Sequence, residues 1–591
     1  MRVSKGGQQM DWCHPSRRGP RPLLRVSSLF VASAWEGTAP VVSVDAVMTM
    51  TRPSSRTLGD LVDELAANTP AAPAVVSGDE RLDYGALKRR VDDFARALLA
   101  SGVGHGDRVA LVVSNRIEWI VAALASAKIG AIVAAISTFS TPRELAWSLE
   151  HCGASTLVML SAFRGRRFLE PLLALCPELD QPGPLRSAQF PALRTVVVLD
   201  GPARSAAFTP SAFLSRGAAV DATRLAAAQA AVAPSDLCYI LYTSGSTAAP
   251  KGVTLAHGPL IDNGFEIGER MHLQGTDRLW LAVPLFWSFG SANALPAIMT
   301  HGGSVVLQES FEPGEALALI ERERCSVFYG MANMARALLE HPAHPGRRLG
   351  AMRTGLTIGP PEDIALTMRA LGADGLCNVY GSTETYGNCA VADAEEPLPM
   401  RLERQGLPLP GMTIRAVDPV TRRPLPQGEV GELAVHGRIT PGYYQAPEAT
   451  AEAFDSDGFF LTGDLGSIEA DGRVRFRGRL KEMIKTGGVN VAPLEVEHVL
   501  MQHPEIVQAY VVGVPDAARG EAVAAAIELR AGAASDGAAI VAFCRERLAS
   551  YKVPTRLVIR AAEEFPRTAT GKIHKPGLRE ELSSLGAGNV A

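Results

Sequence analysis

Cysteine is scarce: there are eight in 591 residues, and no two are spaced Cys-x-x-Cys. They fall at 13, 152, 176, 238, 325, 377, 389 and 544, mostly inside apolar runs. That distribution argues against a zinc site or a disulfide frame and suits reduced, buried thiols in a cytoplasmic protein. Long apolar runs are scarce too. The longest, 120–136, is Ala-rich, interrupted by Lys128 and Gly130, and short for a membrane span. A buried helix followed by a strand accounts for it. No charge of one sign dominates: 58 Lys and Arg against 62 Asp and Glu leave −4. General attraction to nucleic acid or to a membrane surface is therefore not expected. Residues 1–50 are poor in acids, with Arg2, Lys5, Arg17, Arg18, Arg21 and Arg25 facing only Asp11 before Glu36. No secretory signal is recognisable there, and the likeness to a mitochondrial presequence is faint. Residues 1–54 read as a disordered extension, or as untranslated ahead of a start at Met48 or Met50.

What remains is ordinary globular material, 47% apolar and 20% charged, on a chain too long for one core. Apolar periodicity predicts a helix over 84–101, stopped by Gly102 and Gly104. The glycines at 102, 104 and 106 follow a helix rather than a strand, so they read as a cap loop and not as a dinucleotide fingerprint. Strands over 108–113, 131–136 and 156–160 alternate with helices over 118–129 and 143–151. The alternation resumes with strands at 237–241, 278–283, 304–307 and 326–329. Such alternation predicts parallel sheets flanked by helices. From about 406 the texture changes to short alternating runs punctuated by Gly and Pro, as in a small β-barrel or a small sheet. After 482 a helix, two strands, another helix and a strand read as a separate α+β domain.

The stretch Tyr242-Thr243-Ser244-Gly245-Ser246-Thr247-Ala248-Ala249-Pro250-Lys251-Gly252 directly follows the strand at 237–241. Glycine lets backbone N–H groups approach an anion, hydroxyls donate to phosphate oxygens, and Lys adds a point charge. The spacing fails the common Gly-x4-Gly-Lys nucleotide loop. A Ser/Gly-rich surface turn is the plain alternative for this stretch alone.

Further along come Pro284-Leu285-Phe286-Trp287-Ser288-Phe289-Gly290, Ile358-Gly359-Pro360-Pro361, Asn378-Val379-Tyr380-Gly381-Ser382-Thr383-Glu384 and Leu461-Thr462-Gly463-Asp464. They are followed by Gly478-Arg479-Leu480-Lys481 through Gly487-Gly488, then Pro566-Arg567-Thr568-Ala569-Thr570-Gly571-Lys572. In isolation several have plain readings: core aromatics, a capped turn, a turn Asp, a solvated Lys. In this order, over about 55–583, they resemble the adenylate-forming (AMP-binding) superfamily, in particular the acyl-CoA synthetases.

The resemblance implies an α/β fold. A large N-terminal domain (55–478) would hold two flavodoxin-like parallel αβα sheets and a small β-barrel. After a hinge (479–481), a small mobile α+β domain (482–583) and a tail (584–591) would follow. It implies that Thr243, Ser244, Gly245, Ser246, Thr247 and Lys251 hold ATP phosphates, with Gly359, Pro360, Tyr380 and Gly381 around adenine. Asp464 and Arg479 would take the ribose, Thr383 a phosphate, and Glu384 the Mg²⁺. His257, Trp287, Ser288 and Gly290 would line the acyl pocket; Trp287 stands where His is frequent and resembles a gate residue of fatty acyl-CoA synthetases. Lys481 would be the hinge, Gly487 and Gly488 would pass the CoA arm, and Lys572 would be the adenylation lysine. The substrates implied are ATP, CoA and a small-molecule carboxylic acid, foremost a medium- or long-chain fatty acid, with a homodimer compatible. A carrier-protein acceptor, an aryl acid and an inactive homologue stay open; Ala248 and Pro360 depart from the usual Gly and Ala.

Overall fold

The computed structural model describes residues 52–201, 204–243, 250–347, 349–486, 489–567 and 573–585. Two large sheets dominate. A parallel pair needs a crossover helix, so sheets built this way are covered on both faces and read as continuous apolar strands. One sheet runs, in spatial order, Lys251–Ala256, Leu237–Thr243, Ile132–Ala135, Arg108–Val112, Thr156–Met159 and Thr195–Val198. All pairs are parallel except the first. The second runs Leu407–Pro408, Ala390–Val391, Gly375–Tyr380, Thr354–Thr357, Val327–Tyr329, Arg278–Leu281, Ser304–Leu307, Pro73–Ser77 and Glu80–Asp83. Its central strands are parallel and its edges antiparallel. Trp280 stacks on Phe328 at 5.6 Å in the core of this sheet.

The predicted helix over 84–101 is Tyr84–Ala100, begun by the Asp83 side chain accepting from the Ala86 amide. Residues 52–54, assigned from sequence to the extension, are already tied into the fold: Arg52 pairs with Asp262 at 2.9 Å and Ser54 donates to Glu64.

Of the two readings of the texture after 406, the structure shows the small sheet and not the closed barrel. Thr413–Val417, Gly431–His436, Phe460–Ile468 and Val474–Arg479 pair in a row as an antiparallel sheet. Among the described residues its first and last strands do not pair, because four strands are too few to curl round and close.

The C-terminal part is a five-stranded sheet. The long hairpin Ile506–Asp516 and Gly520–Leu529 carries Ile484–Thr486, Val489–Val491 and the parallel Arg556–Ile559. Helices Pro493–Met501 and Gly537–Arg545 bury Val496, Leu500, Ile540 and Val541 in one core, while Lys575–Ser583 buries Leu578 and Leu582 in a second. Among the described residues, no helix is long and apolar enough to cross a membrane.

Candidate active site

In open α/β sheets, ligands bind beyond the carboxyl ends of the strands. Four parallel strands of the nine-stranded sheet deliver the motifs to one such edge. Residues 284–290 follow Arg278–Leu281, 358–360 follow Thr354–Thr357, and 381–384 follow Gly375–Tyr380, with Val327–Tyr329 ending between them.

The nucleotide side is built around Asp464. It is 3% exposed, and its Oδ2 accepts from the Tyr380 hydroxyl at 3.1 Å. Its Oδ1 is buried and accepts no hydrogen bond; Arg479 Nε lies 3.1 Å away, outside hydrogen-bond geometry. Burial pushes this carboxyl up to about 6, against the opposing pull of Arg479 and Tyr380. An orphaned, buried acceptor of this kind fits a ribose hydroxyl. The Tyr380 ring is itself buried and stacks on Phe476 at 5.8 Å, and burial raises its hydroxyl pKa. Phe476 carries no motif and escapes sequence reading.

Glu384 is half-buried, and its Oε1 accepts from the Tyr443 hydroxyl at 3.0 Å. The ammonium of Lys251 sits 4.4 Å above the Tyr443 ring. One tyrosine thus bridges the phosphate-loop lysine and the acid, and nothing in the local sequence marks it. It reaches that place because Tyr443 bridges to Val253 and the Tyr444 amide donates to the Gly252 carbonyl. Among the described residues, no group of three or more His, Cys, Asp or Glu could hold a metal by itself. A single carboxylate such as Glu384 fits Mg²⁺ carried mainly by substrate phosphates.

Thr243 and Lys251 are register partners across the antiparallel pair. The intervening loop residues assigned to phosphate, Ser244, Gly245, Ser246 and Thr247, lie outside the described residues, as do Ala248, Gly487, Gly488 and Lys572. Arg567 and Ile573, on either side of the Lys572 segment, pair as an antiparallel bridge. Lys481 lies in the single turn Leu480–Glu482 that joins the four-stranded sheet to the C-terminal part. Beside it, Glu482 pairs at 2.7 Å with Lys575, which also meets Glu497 at 3.1 Å.

The segment expected to line the acyl pocket adjoins the one expected to face phosphate: the Thr383 hydroxyl donates to Ser288 Oγ at 2.9 Å. Trp287 is half-buried against Phe139 (6.3 Å) and Phe286 (5.9 Å). Phe139, from the loop after Ile132–Ala135, carries no motif that would have marked it as a partner of this segment. Gly290 admits no side chain, since a Cβ would stand 2.5 Å from the Pro284 carbonyl. His257 is fully buried at the start of helix His257–Arg270, where its Nδ1 accepts from the Leu58 amide at 3.2 Å. Burial lowers its pKa to about 4, so it is a neutral packing residue against the start of helix Leu58–Asn68. Pro360 begins the helix Pro361–Leu371 at φ −68°, the value its ring imposes, so this departure costs the backbone nothing. Two residues on, Glu362 meets His498 of the C-terminal part at 3.2 Å.

Comparison with known proteins agrees with this geometry. Residues 62–444 match the AMP-binding enzyme family and residues 495–572 the AMP-binding enzyme C-terminal domain. The acyl-CoA ligase sidI of Aspergillus fumigatus is 33% identical, over 85% of this chain and 87% of that protein. The mitochondrial medium-chain acyl-CoA ligase ACSF2 of Rattus norvegicus is 31% identical, over 89% and 88%. The crystal structure of ATP-bound MatB from Rhodopseudomonas palustris superposes with a TM-score of 0.76, at 26% identity, over 89% of this chain and 99% of that one.

Proposed function

The chain belongs to the AMP-binding enzyme family, and we propose that it is an ATP-dependent acid–CoA ligase for a predominantly apolar carboxylic acid of medium to long chain. The observation that carries this reading is the Thr383–Ser288 hydrogen bond, 2.9 Å. It fixes the phosphate-facing motif against the acyl segment, where a carboxylate and an α-phosphate would have to meet. The aromatic cluster of Phe139, Phe286 and Trp287 suits an apolar chain, as does the chain-length class in the name of ACSF2.

In the first step a carboxylate oxygen attacks the α-phosphorus of ATP, and the bond to pyrophosphate breaks. In the second, CoA sulfur attacks the acyl carbon and AMP leaves. The chain's task is to position anions and spread their charge rather than to supply a covalent nucleophile. Asp464 anchors the ribose, Thr383 and Lys251 face phosphate oxygens, and Lys572 meets the reacting carboxylate and α-phosphate. Glu384 would hold Mg²⁺, which neutralises phosphate charge when bound. We place the hinge at Lys481, between a large domain (55–478) and a small one (482–583) that presents Lys572 for adenylation and Gly487-Gly488 for thiolation. Seven buried, unpaired thiols among the described residues suit a reducing compartment, which we take to be the cytoplasm.

A panel of saturated and aromatic acids with ATP, Mg²⁺ and CoA, read by pyrophosphate release, tests the reading. Release with saturated acids and CoA supports it. No release from any acid would leave an inactive homologue, and a requirement for a carrier protein in place of CoA would reassign the acceptor.

A further inference from the structure

Asn293 stands out beside the aromatic acyl segment. It lies on the π-helical turn Phe289–Ala294, close behind Trp287 and Ser288, and is fully buried. A π turn is wider than an α turn and re-aims the side chains it carries, frequently at functional sites. Its Oδ1 accepts from the hydroxyl of Tyr329 at 2.9 Å. Tyr329, also fully buried, ends a parallel strand at the sheet edge that carries the site, and Phe289 packs on its ring at 5.1 Å. Asn293 Nδ2 has no partner. Gly387, at φ +95°, faces this amide: a Cβ there would stand 2.7 Å from Nδ2. The turn therefore orients a donor, the tyrosine occupies the amide's other end, and Gly387, lacking a side chain, packs its backbone directly beside Nδ2.

An unpaired buried amide is unfavourable unless something accepts from it. We propose that Asn293 selects an acid whose hydrocarbon chain carries a neutral hydrogen-bond acceptor, a hydroxyl or oxo oxygen, to which Nδ2 donates at the inner end of the acyl pocket. Phe139, Phe286, Trp287 and Phe289 supply no charge to balance a second carboxylate there, so the acceptor is neutral. The inference rests on the acid–CoA ligase reading and narrows its substrate class. Asn293 is a specificity residue, with Tyr329 as its positioning partner.

The test takes the full chain with ATP, Mg²⁺ and CoA. The best saturated acid of the panel is compared with its hydroxy and oxo derivatives, substituted at successive chain positions, as kcat/KM for pyrophosphate release. At one position the oxygenated acid should exceed its parent by about tenfold or more, because sites built to hydrogen-bond a substrate discriminate against analogues lacking the group. Asn293→Leu, of similar size, should bring that ratio to one or below. Tyr329→Phe, which keeps the ring and releases Oδ1, should lower it. Activity on the parent acid with no derivative preferred, or a preference unchanged in both variants, overturns the inference alone. No pyrophosphate from any acid overturns the ligase reading and this inference together.

Discussion

Asp464 and Arg479 are register partners on neighbouring antiparallel strands, with Oδ1 and Nε 3.1 Å apart. The acid is buried while the arginine side chain is 61% exposed. The carboxylate is thus held in a dry place with one oxygen uncommitted, and the cation that balances it stays at the surface. Discounted for that exposure, the ion pair contributes little to stability, and under the proposed function its value would lie in presenting Oδ1 to the ribose.

Asp464→Asn should raise KM for ATP by about tenfold or more, the equivalent of roughly 1.4 kcal/mol, with less effect on KM for the acid. The wild-type enzyme should also show an acid limb. Burial puts this carboxyl at about 6 in the free protein, so ATP affinity is full above that pH and falls as the group is protonated below it. A pH profile of kcat/KM for ATP checks the sign; an affinity that rises on acidification would contradict it.

Lys572→Ala should reduce adenylation by about 10²-fold or more, the scale of removing a charge-stabilising donor. Thioester formation from supplied acyl-adenylate should be nearly unchanged. Separate assays of the two half-reactions decide it, and equal loss in both would remove the role assigned to this lysine.

Trp287→Ala opens the contact with Phe139 and Phe286. It should shift acyl-chain preference toward bulkier acids by about tenfold, since cavity differences of this size are worth roughly 1–3 kcal/mol, while KM for ATP stays near wild type. A defect confined to ATP would show that the ring serves the nucleotide side instead.

Glu362 and His498 join the helix after the Gly359-Pro360 turn to the C-terminal part at 3.2 Å. The Glu362 contact raises the His498 pKa against the opposing effect of burial. Burial favours the neutral form of Glu362, yet His498 and backbone donors hold it below its usual range. The histidine's contribution is therefore full below about 6.5 and fades as pH rises through its raised value. The glutamate's is present above its ordinary range and fades as pH falls through the lowered one. A double-mutant cycle of Glu362→Gln and His498→Ala, read by thermal unfolding, should give a coupling of about 0.2–1 kcal/mol near pH 6. The coupling should shrink at pH 8.5; one that grows with pH would reverse the assignment.

Much of the site is legible because its signals are local. Tyr380, Thr383 and Glu384 fall within one short motif at the end of a strand, and Asp464 directly follows Thr462-Gly463. His257 sits just past the phosphate loop in sequence, but only the structure shows that the helix it begins turns its ring under Leu58. Barrel or small sheet stays open from sequence because alternating runs specify strands but not closure. Tyr443, Phe476, Phe139 and Asn293 carry no local mark; each matters through a partner from another element.

The sequence by itself determined the α/β alternation, the glycine and hydroxyl pattern after the strand at 237–241, and the order of motifs that identifies the family. These depend on short-range periodicity and on residue chemistry that reads the same wherever the chain goes. Only the tertiary structure decided that Thr383 meets Ser288 across 95 residues, that Tyr380 meets Asp464 across 84, and that Tyr443 meets Glu384 across 59. It likewise decided that Asn293 spends its oxygen on Tyr329 and leaves its nitrogen unpaired. The physical reason is that parallel strands gather distant loops at one edge, and which side chains touch there is fixed by packing between elements rather than by spacing within them.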